Sequence, residues 1–309
     1  MILRKKRDFG ERINAIFEFI NLNQRDFYRA VVLVICPLAI VGGVLAGMIS
    51  GSLEDIVNNP GDPTVMLKIF GSFPFWGAMV SSILGYNIVL TVSNVFIKLY
   101  LNKVENLSVE TIWKEMKKYI LPVFGVQFLS AIFLFIAYFL SILLMVMLGQ
   151  IHMAFIIIGA FGVLLLLGYL ATNFFLVYAI VVIEEHGVFG SFARAFWLMR
   201  NHFWSTFGYF FVIFLIYMAI SFIFTAPAII VEQIAALHVL ESESAVFTMT
   251  KIAANIFSSV GSYLLLPVLI LAPTFQYFNL VEHKESTGLL ERIEQFGIRE
   301  EKREDEEIY

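Results

Sequence analysis

Six long apolar runs divide the chain, near 30–49, 73–97, 120–148, 154–183, 203–231 and 253–280. Each has about 20 residues or more, enough to cross a hydrocarbon layer of about 30 Å at about 1.5 Å per residue. The longer runs call for tilt, kinks or projection beyond the bilayer. An isolated span must satisfy its own backbone hydrogen bonds, so the predicted element is a helix. A β-barrel would show short alternating segments, and these runs do not alternate. The predicted fold class is all-α, a polytopic membrane helix bundle with six transmembrane helices and amphipathic inner-face helices. Three parts follow: a cytoplasmic amphipathic segment at 1–29, the six-helix domain at 30–280 and an acidic cytoplasmic tail at 281–309.

The polar segments on one side of these runs share a pattern. Ile13, Ile16, Phe17 and Ile20 recur at i, i+3, i+4 and i+7. So do Val109, Ile112, Trp113 and Met116, and so do Phe189, Phe192, Ala193 and Phe196. Each set predicts an apolar stripe on a helix, and Ser108 is a suitable N-cap for the second. Each set also precedes an odd-numbered run. The chain therefore reads either as three divergent units of surface helix plus hairpin or as a bundle whose inner linkers are all amphipathic. Of the Lys and Arg residues, only Lys68 and Lys251 fall on the opposite side, so the positive-inside rule places both termini in the cytoplasm. Arg4, Lys5, Lys6 and Arg7 resemble the basic start of a secretion signal. Residues 8–29 then intervene with four acids before the first apolar run, which argues against a cleaved signal. The outer connections are 50–72, with the turn sequence NNPGDP at Asn58–Pro63, a tight turn near Gly149–Met153, and 232–252. The tail ends in REEKREDEEIY, a solvated charge run.

Composition sharpens this picture. Of the 309 residues, 59% are hydrophobic and only 15% charged, with a mean hydropathy of +0.82. That is far from the balance of a water-soluble domain. A net charge of −4 provides no basic stripe for a nucleic-acid partner. The single Cys36 rules out an intrachain disulfide and, inside an apolar run, behaves as a small apolar group. The interiors of the six runs carry no Asp, Glu, Lys, Arg or His. Ion-coupled pumps and voltage sensors need such groups within the membrane, so these classes are disfavoured. Walker A, nucleophile-elbow and HExxH motifs are absent, and the chain is expected not to be an enzyme. No cofactor is implied, and the expected partners are membrane lipids.

Uncharged polar residues do enter the runs. Asn87, Thr91 and Asn94 fall on one face of the second, and Asn255, Ser259 and Ser262 on one face of the sixth; Gln127 and Asn173 add an amide each. They read either as a polar cavity or as hydrogen-bonding glue between helices. Gly43 and Gly47 form a GxxxG that points to close helix packing. Pro37, Pro74, Pro122, Pro227, Pro267 and Pro273 lie in or beside the runs and predict kinks. Glu184, Glu185, His186, Glu282 and His283 cluster at run ends, but their spacing is no recognised metal-ligand set, and pairing with Arg or Lys is the expected role.

The most distinctive stretch is 187–204. Its aromatic side separates from Ser191, Arg194, Asn201 and His202. Trp197 and Trp204 fall at one edge of the apolar arc, where an indole sits at headgroup level. Arg200 falls inside that arc. Either the helix ends near Asn201, or Arg200 reaches a lipid phosphate or an acid such as Glu184 or Glu185. Arg194, Arg200, Trp197 and Trp204 are the candidate lipid-headgroup contacts.

Glu185, Gly187 and SFARAFWLMRNHFWSTFG (Ser191–Gly208) resemble a pattern found in bacterial six-span membrane proteins. These are grouped with the membrane domain attached to some glycerophosphoryl diester phosphodiesterases. The resemblance covers about 30 residues and implies a helix bundle in the bacterial cytoplasmic membrane with a link to lipid or envelope metabolism. It implies no phosphodiesterase activity, because catalysis in such enzymes belongs to a separate barrel. The expected role is a non-enzymatic, lipid-associated or scaffolding membrane protein. Alternatives are a transporter or permease component with a polar path between helices, and an accessory membrane subunit of a lipid-metabolising enzyme.

Overall fold

A computed structural model describes residues 1–58, 62–104, 106–236, 245–290 and 293. Residues 59–61 of the turn expected at Asn58–Pro63, the middle of the connection at 232–252 and most of the acidic tail therefore lie outside the described residues. The fold is an all-α, polytopic helix bundle, with helices α1 (Phe9–Asn58), α2 (Pro63–Phe70), α3 (Phe73–Leu101), α4 (Val109–Met116), α5 (Ile120–Ile151), α6 (Met153–Ile183), α7 (Val188–Met199), α8 (Phe203–Ala236) and α9 (Ala245–Lys284). Among the described residues, six of these are long and apolar enough to cross a membrane: α1, α3, α5, α6, α8 and α9.

The helix boundaries follow local chemistry. Asp62 accepts a hydrogen bond from the Thr64 N–H at 2.8 Å, and Pro63 opens α2. Proline suits a first turn because it has no N–H to lose there. The bonds from the Thr64 N–H and hydroxyl also lower the Asp62 pKa. Ser72 caps α3 and Ser108 caps α4, the latter as the sequence predicts. The three polar segments differ from one another. The stripe of 13–20 lies on α1, which runs unbroken from Phe9 to Asn58, whereas α4 and α7 are short separate helices. The reason is visible at their ends: Lys117–Tyr119 turn before α5, and Arg200–His202 turn before α8, where Asn201 takes φ 73°. The chain continues helical past Pro37, Pro227, Pro267 and Pro273.

The chain divides into two compact units. Unit 2 comprises Asn23–Val123 and Val212–Ile270. Its seam is the GxxxG of α1: a Cβ on Gly43 would lie 2.6 Å from the Ile256 Cα, and one on Gly47 would lie 2.8 Å from the Ile252 Cα. Glycine is needed there because the backbones of α1 and α9 touch. Ser81 of α3 donates to the Leu38 carbonyl at 2.9 Å, and Phe27 packs edge-on to Phe96 with centroids 5.0 Å apart. Unit 1 comprises Met1–Leu22, Phe124–Phe211 and Leu271–Tyr309. The α5–α6 hairpin turns at His152, within the tight turn expected from sequence. An aromatic cluster joins α5, α6 and α7, with Phe133, Phe174 and Phe192 at centroid distances of 5.2–6.1 Å.

Candidate functional site: the charged end of unit 1

The polar chemistry of unit 1 gathers where the N-terminal arm, the α6–α7 junction and the C-terminal end of α9 meet. α6 ends at Ile183, and Glu185 takes φ 56°. That backbone reversal directs the chain into α7 at Gly187. Ser191 then turns inward, its hydroxyl donating to the carbonyls of Gly187 (3.2 Å) and His186 (3.3 Å). The buried face of α7 is therefore Ser191, Phe192, Ala195, Leu198 and Met199. The expected stripe is rotated: Phe192 is buried, whereas Phe189 is 74% exposed. The small residues Ser191 and Ala195 allow the close approach, and the bulky Phe189 and Trp197 are left outside.

Arg194 is the hub. Its Nε lies 3.1 and 3.2 Å from the two carboxylate oxygens of Glu184, and its Nη2 lies 3.0 Å from Glu184 Oε1. Nη1 pairs with Glu285 at 2.6 Å. The Tyr277 hydroxyl donates to Glu184 Oε1 at 2.8 Å, and His186 Nε2 lies 3.4 Å from Oε2. Burial opposes the Arg194 charge, but the bonds to Glu285 and Glu184 outweigh it and raise its pKa above the ordinary guanidinium value. The indole of Trp197 receives two cations, with the Arg194 guanidinium at 4.8 Å and Lys284 Nζ at 4.4 Å from its ring. Lys284 also donates to the Trp197 carbonyl.

A second network crosses from the N-terminal arm. Arg12, 5% exposed, donates to the Gln276 amide oxygen, and Gln276 donates onward to the Thr206 hydroxyl at 2.7 Å. The Arg12 guanidinium stacks 4.8 Å from the Tyr209 ring, and its Nε donates to the Asp8 carbonyl. The backbone N–H of Arg7 is received by Asn279 Oδ1 at 2.9 Å, and its guanidinium donates to the carbonyls of Ile2 and Leu3. Burial lowers the Arg7 pKa, opposed by the charges of Glu11 and Glu18. Glu282 is buried and accepts the N–H groups of Gly288 (2.8 Å) and Leu289 (3.1 Å), capping the turn after α9.

The residues singled out from sequence fare differently. Arg200 is exposed just past the end of α7, which closes at Met199, near the helix end expected at Asn201. Glu184 is the partner of Arg194 rather than of Arg200. Trp197 and Trp204 are exposed. On α3, Thr91 donates to the Asn87 carbonyl and Asn94 to the Leu90 carbonyl; on α9, Asn255 donates to the Lys251 carbonyl. Asn173 bonds the Tyr169 carbonyl, and its Oδ1 is buried with no partner among the described residues. Gln127 is partly buried on α5. Each of these amide and hydroxyl donations returns to the donor's own helix. The imidazoles of His202 and His283 lie side by side, with centroids 5.6 Å apart, while His186 turns to Glu184. Among the described residues no group of three or more His, Cys, Asp or Glu side chains is placed to hold a metal ion.

The chain matches no family model, no curated protein and no solved structure.

Arg7, Arg12, Thr206, Gln276, Tyr277 and Asn279 escape a reading by apolar periodicity, since their partners lie far away in sequence. One signal was available: Gln276, Asn279 and His283 recur at i, i+3 and i+7, a polar face at the end of an otherwise apolar run.

Proposed function

We propose that this chain is a non-enzymatic, multi-pass protein of the bacterial cytoplasmic membrane, with both termini in the cytoplasm, that associates with lipid through the charged end of unit 1. The observation that carries this reading is the contrast between that end and the helices leading to it. Only 6% of the most apolar window of α5, and of α6, is buried by the protein itself. Apolar surface left so bare needs lipid around it. Where these helices end, exposed Trp197, Trp204 and Arg200 stand in the arrangement expected of headgroup contacts. Arg194, whose guanidinium is taken up by two carboxylates, acts as the bolt that holds α7 in place. The distribution of Lys and Arg supports the orientation. The resemblance of 185–208 to the membrane domain of glycerophosphoryl diester phosphodiesterases supports a link to lipid or envelope metabolism. The donations of Thr91, Asn94 and Asn255 to their own helices weigh against a polar solute path.

Mass spectrometry of lipids and proteins that co-purify with the intact chain tests the proposal. Enrichment of anionic phospholipid over the bulk membrane, reduced in Arg200→Ala/Trp204→Ala, is the expected result. A lipid profile identical to the bulk membrane rejects it.

A further inference from the structure

We propose that His202 and His283 form a binding site for a phosphate group, with Lys6 and Lys284 at its rim and Arg12 behind it. The two imidazoles come from different helix ends, the residue before α8 and the last turn of α9. They lie 5.6 Å apart and 31° from parallel, and both are accessible, His202 in part and His283 freely. Two ring N–H groups so placed can each donate to an oxygen of one tetrahedral anion.

The surrounding charge selects an anion. The charges that act on His283 are those of Lys6, His202, Arg12 and Glu282, and the charge that acts on His202 is that of Lys284, whose ammonium rests on Trp197. Glu282, the acid of the set, has both carboxylate oxygens engaged by backbone N–H groups. Arg12 lies near Asp8, but its guanidinium bonds run to neutral oxygens, those of Gln276 and the Asp8 carbonyl, so its charge is held at depth with no bonded carboxylate in these contacts. The Asp8 carboxylate receives the Glu11 N–H at 2.7 Å. The net charge around the two imidazoles is thus positive, and the carboxylates of Glu282 and Asp8 accept backbone N–H groups. Burial and the Lys284 charge lower the His202 pKa, and a bound anion would act in the opposite direction.

A phosphate could reach this site as the headgroup of an anionic phospholipid or as a free phosphate. The site itself does not depend on the lipid reading; only the first source does. The test uses the full chain in nanodiscs of zwitterionic lipid. Inorganic phosphate is titrated by calorimetry, and phosphatidate uptake is read by native mass spectrometry. At a fixed charge on the anion, binding is expected to strengthen as the pH falls through the imidazole range, because the protonated imidazoles are the binding form. His202→Gln/His283→Gln is expected to weaken it by about tenfold, the loss of two charge-assisted hydrogen bonds, while exposed Lys118→Ala leaves it unchanged. If the double variant does not fold, exposed Lys6→Ala decides, with about threefold weakening expected for a rim charge. Binding of phosphatidate, with or without phosphate, supports the site and the lipid source. Binding of phosphate alone supports the site and rejects the lipid source. Binding of neither, or binding that the His variants (Lys6→Ala where the pair does not fold) leave unchanged, overturns the proposal.

Discussion

Thr91 in the middle of α3 and the charged end of unit 1 use polar side chains in opposite ways. On α3, Thr91 returns a hydrogen bond to Asn87 and Asn94 returns one to Leu90, each within one helical turn, while Ser81 reaches across to Leu38 on α1. At the end of unit 1 the bonds run between distant segments, from Arg12 to Gln276 to Thr206 and from Tyr277 to Glu184 to Arg194 to Glu285. A bond within one turn lets a polar residue sit in an apolar helix but fixes nothing else. A bond between segments fixes where those segments lie. The Thr91 hydroxyl is accommodated by its own helix; at the end of unit 1 polar side chains tie distant segments together.

The comparison can be broken by substitution. The largest effect is expected at Arg194→Ala, which leaves Glu184 and Glu285 half-buried without their cation. A fully buried pair loses about 3–5 kcal/mol, and the partial exposure here brings the expectation to about 2–3 kcal/mol. Unfolding of the purified chain in mixed micelles measures it. A smaller loss than that of a surface Lys or Arg variant would show that the network is decorative. Next comes Gly43→Val in unit 2, where the added side chain meets the Ile256 backbone. Overpacking there is expected to destabilise by about 1–3 kcal/mol. The sharpest pair is Thr206→Val against Thr91→Val. The first strips a partner from buried Gln276 and is expected to destabilise by about 1–2 kcal/mol, while the second removes a bond within one turn and is expected to change stability by less than about 0.5 kcal/mol. Equal effects would erase the distinction between the two regions.

The smallest effect concerns pH. The His202 pKa is lowered in the folded protein, so the unfolded chain takes up this proton first as the pH falls. The His202 contribution is complete above the unfolded value of about 6.5 and is lost as the pH falls through that value toward the lowered folded one. Without phosphate, the thermal midpoint is expected to be lower at about pH 5.5 than at about pH 7.5, and His202→Gln is expected to narrow the gap. An unchanged gap would remove His202 from the account.

The sequence made legible whatever repeats along a single helix. Apolar runs located the six long helices among the described residues, and Gly43–Gly47 marked the α1–α9 seam. Ser108 marked a helix start, and Arg200, set against its neighbours, marked a helix end. The face of α7 was misjudged because periodicity weighs Phe189 as buried by its size, while small Ser191 and Ala195 are what permit contact. At the charged end the pairing of Glu184 with a basic residue was legible, through Arg194, but the bonds between distant segments were not. Their partners lie as far apart as Arg7 and Asn279, and nothing local records such a pairing.

If the apolar helices lie in lipid, as proposed, the four exposed tryptophans lie at headgroup level. Fluorescence quenching by lipids brominated at graded depths tests this directly on Trp76, Trp113, Trp197 and Trp204, each kept in turn as the sole tryptophan. Strongest quenching of all four by bromines nearest the headgroup is the predicted result. Quenching that is strongest at the bilayer centre, or absent, would contradict it.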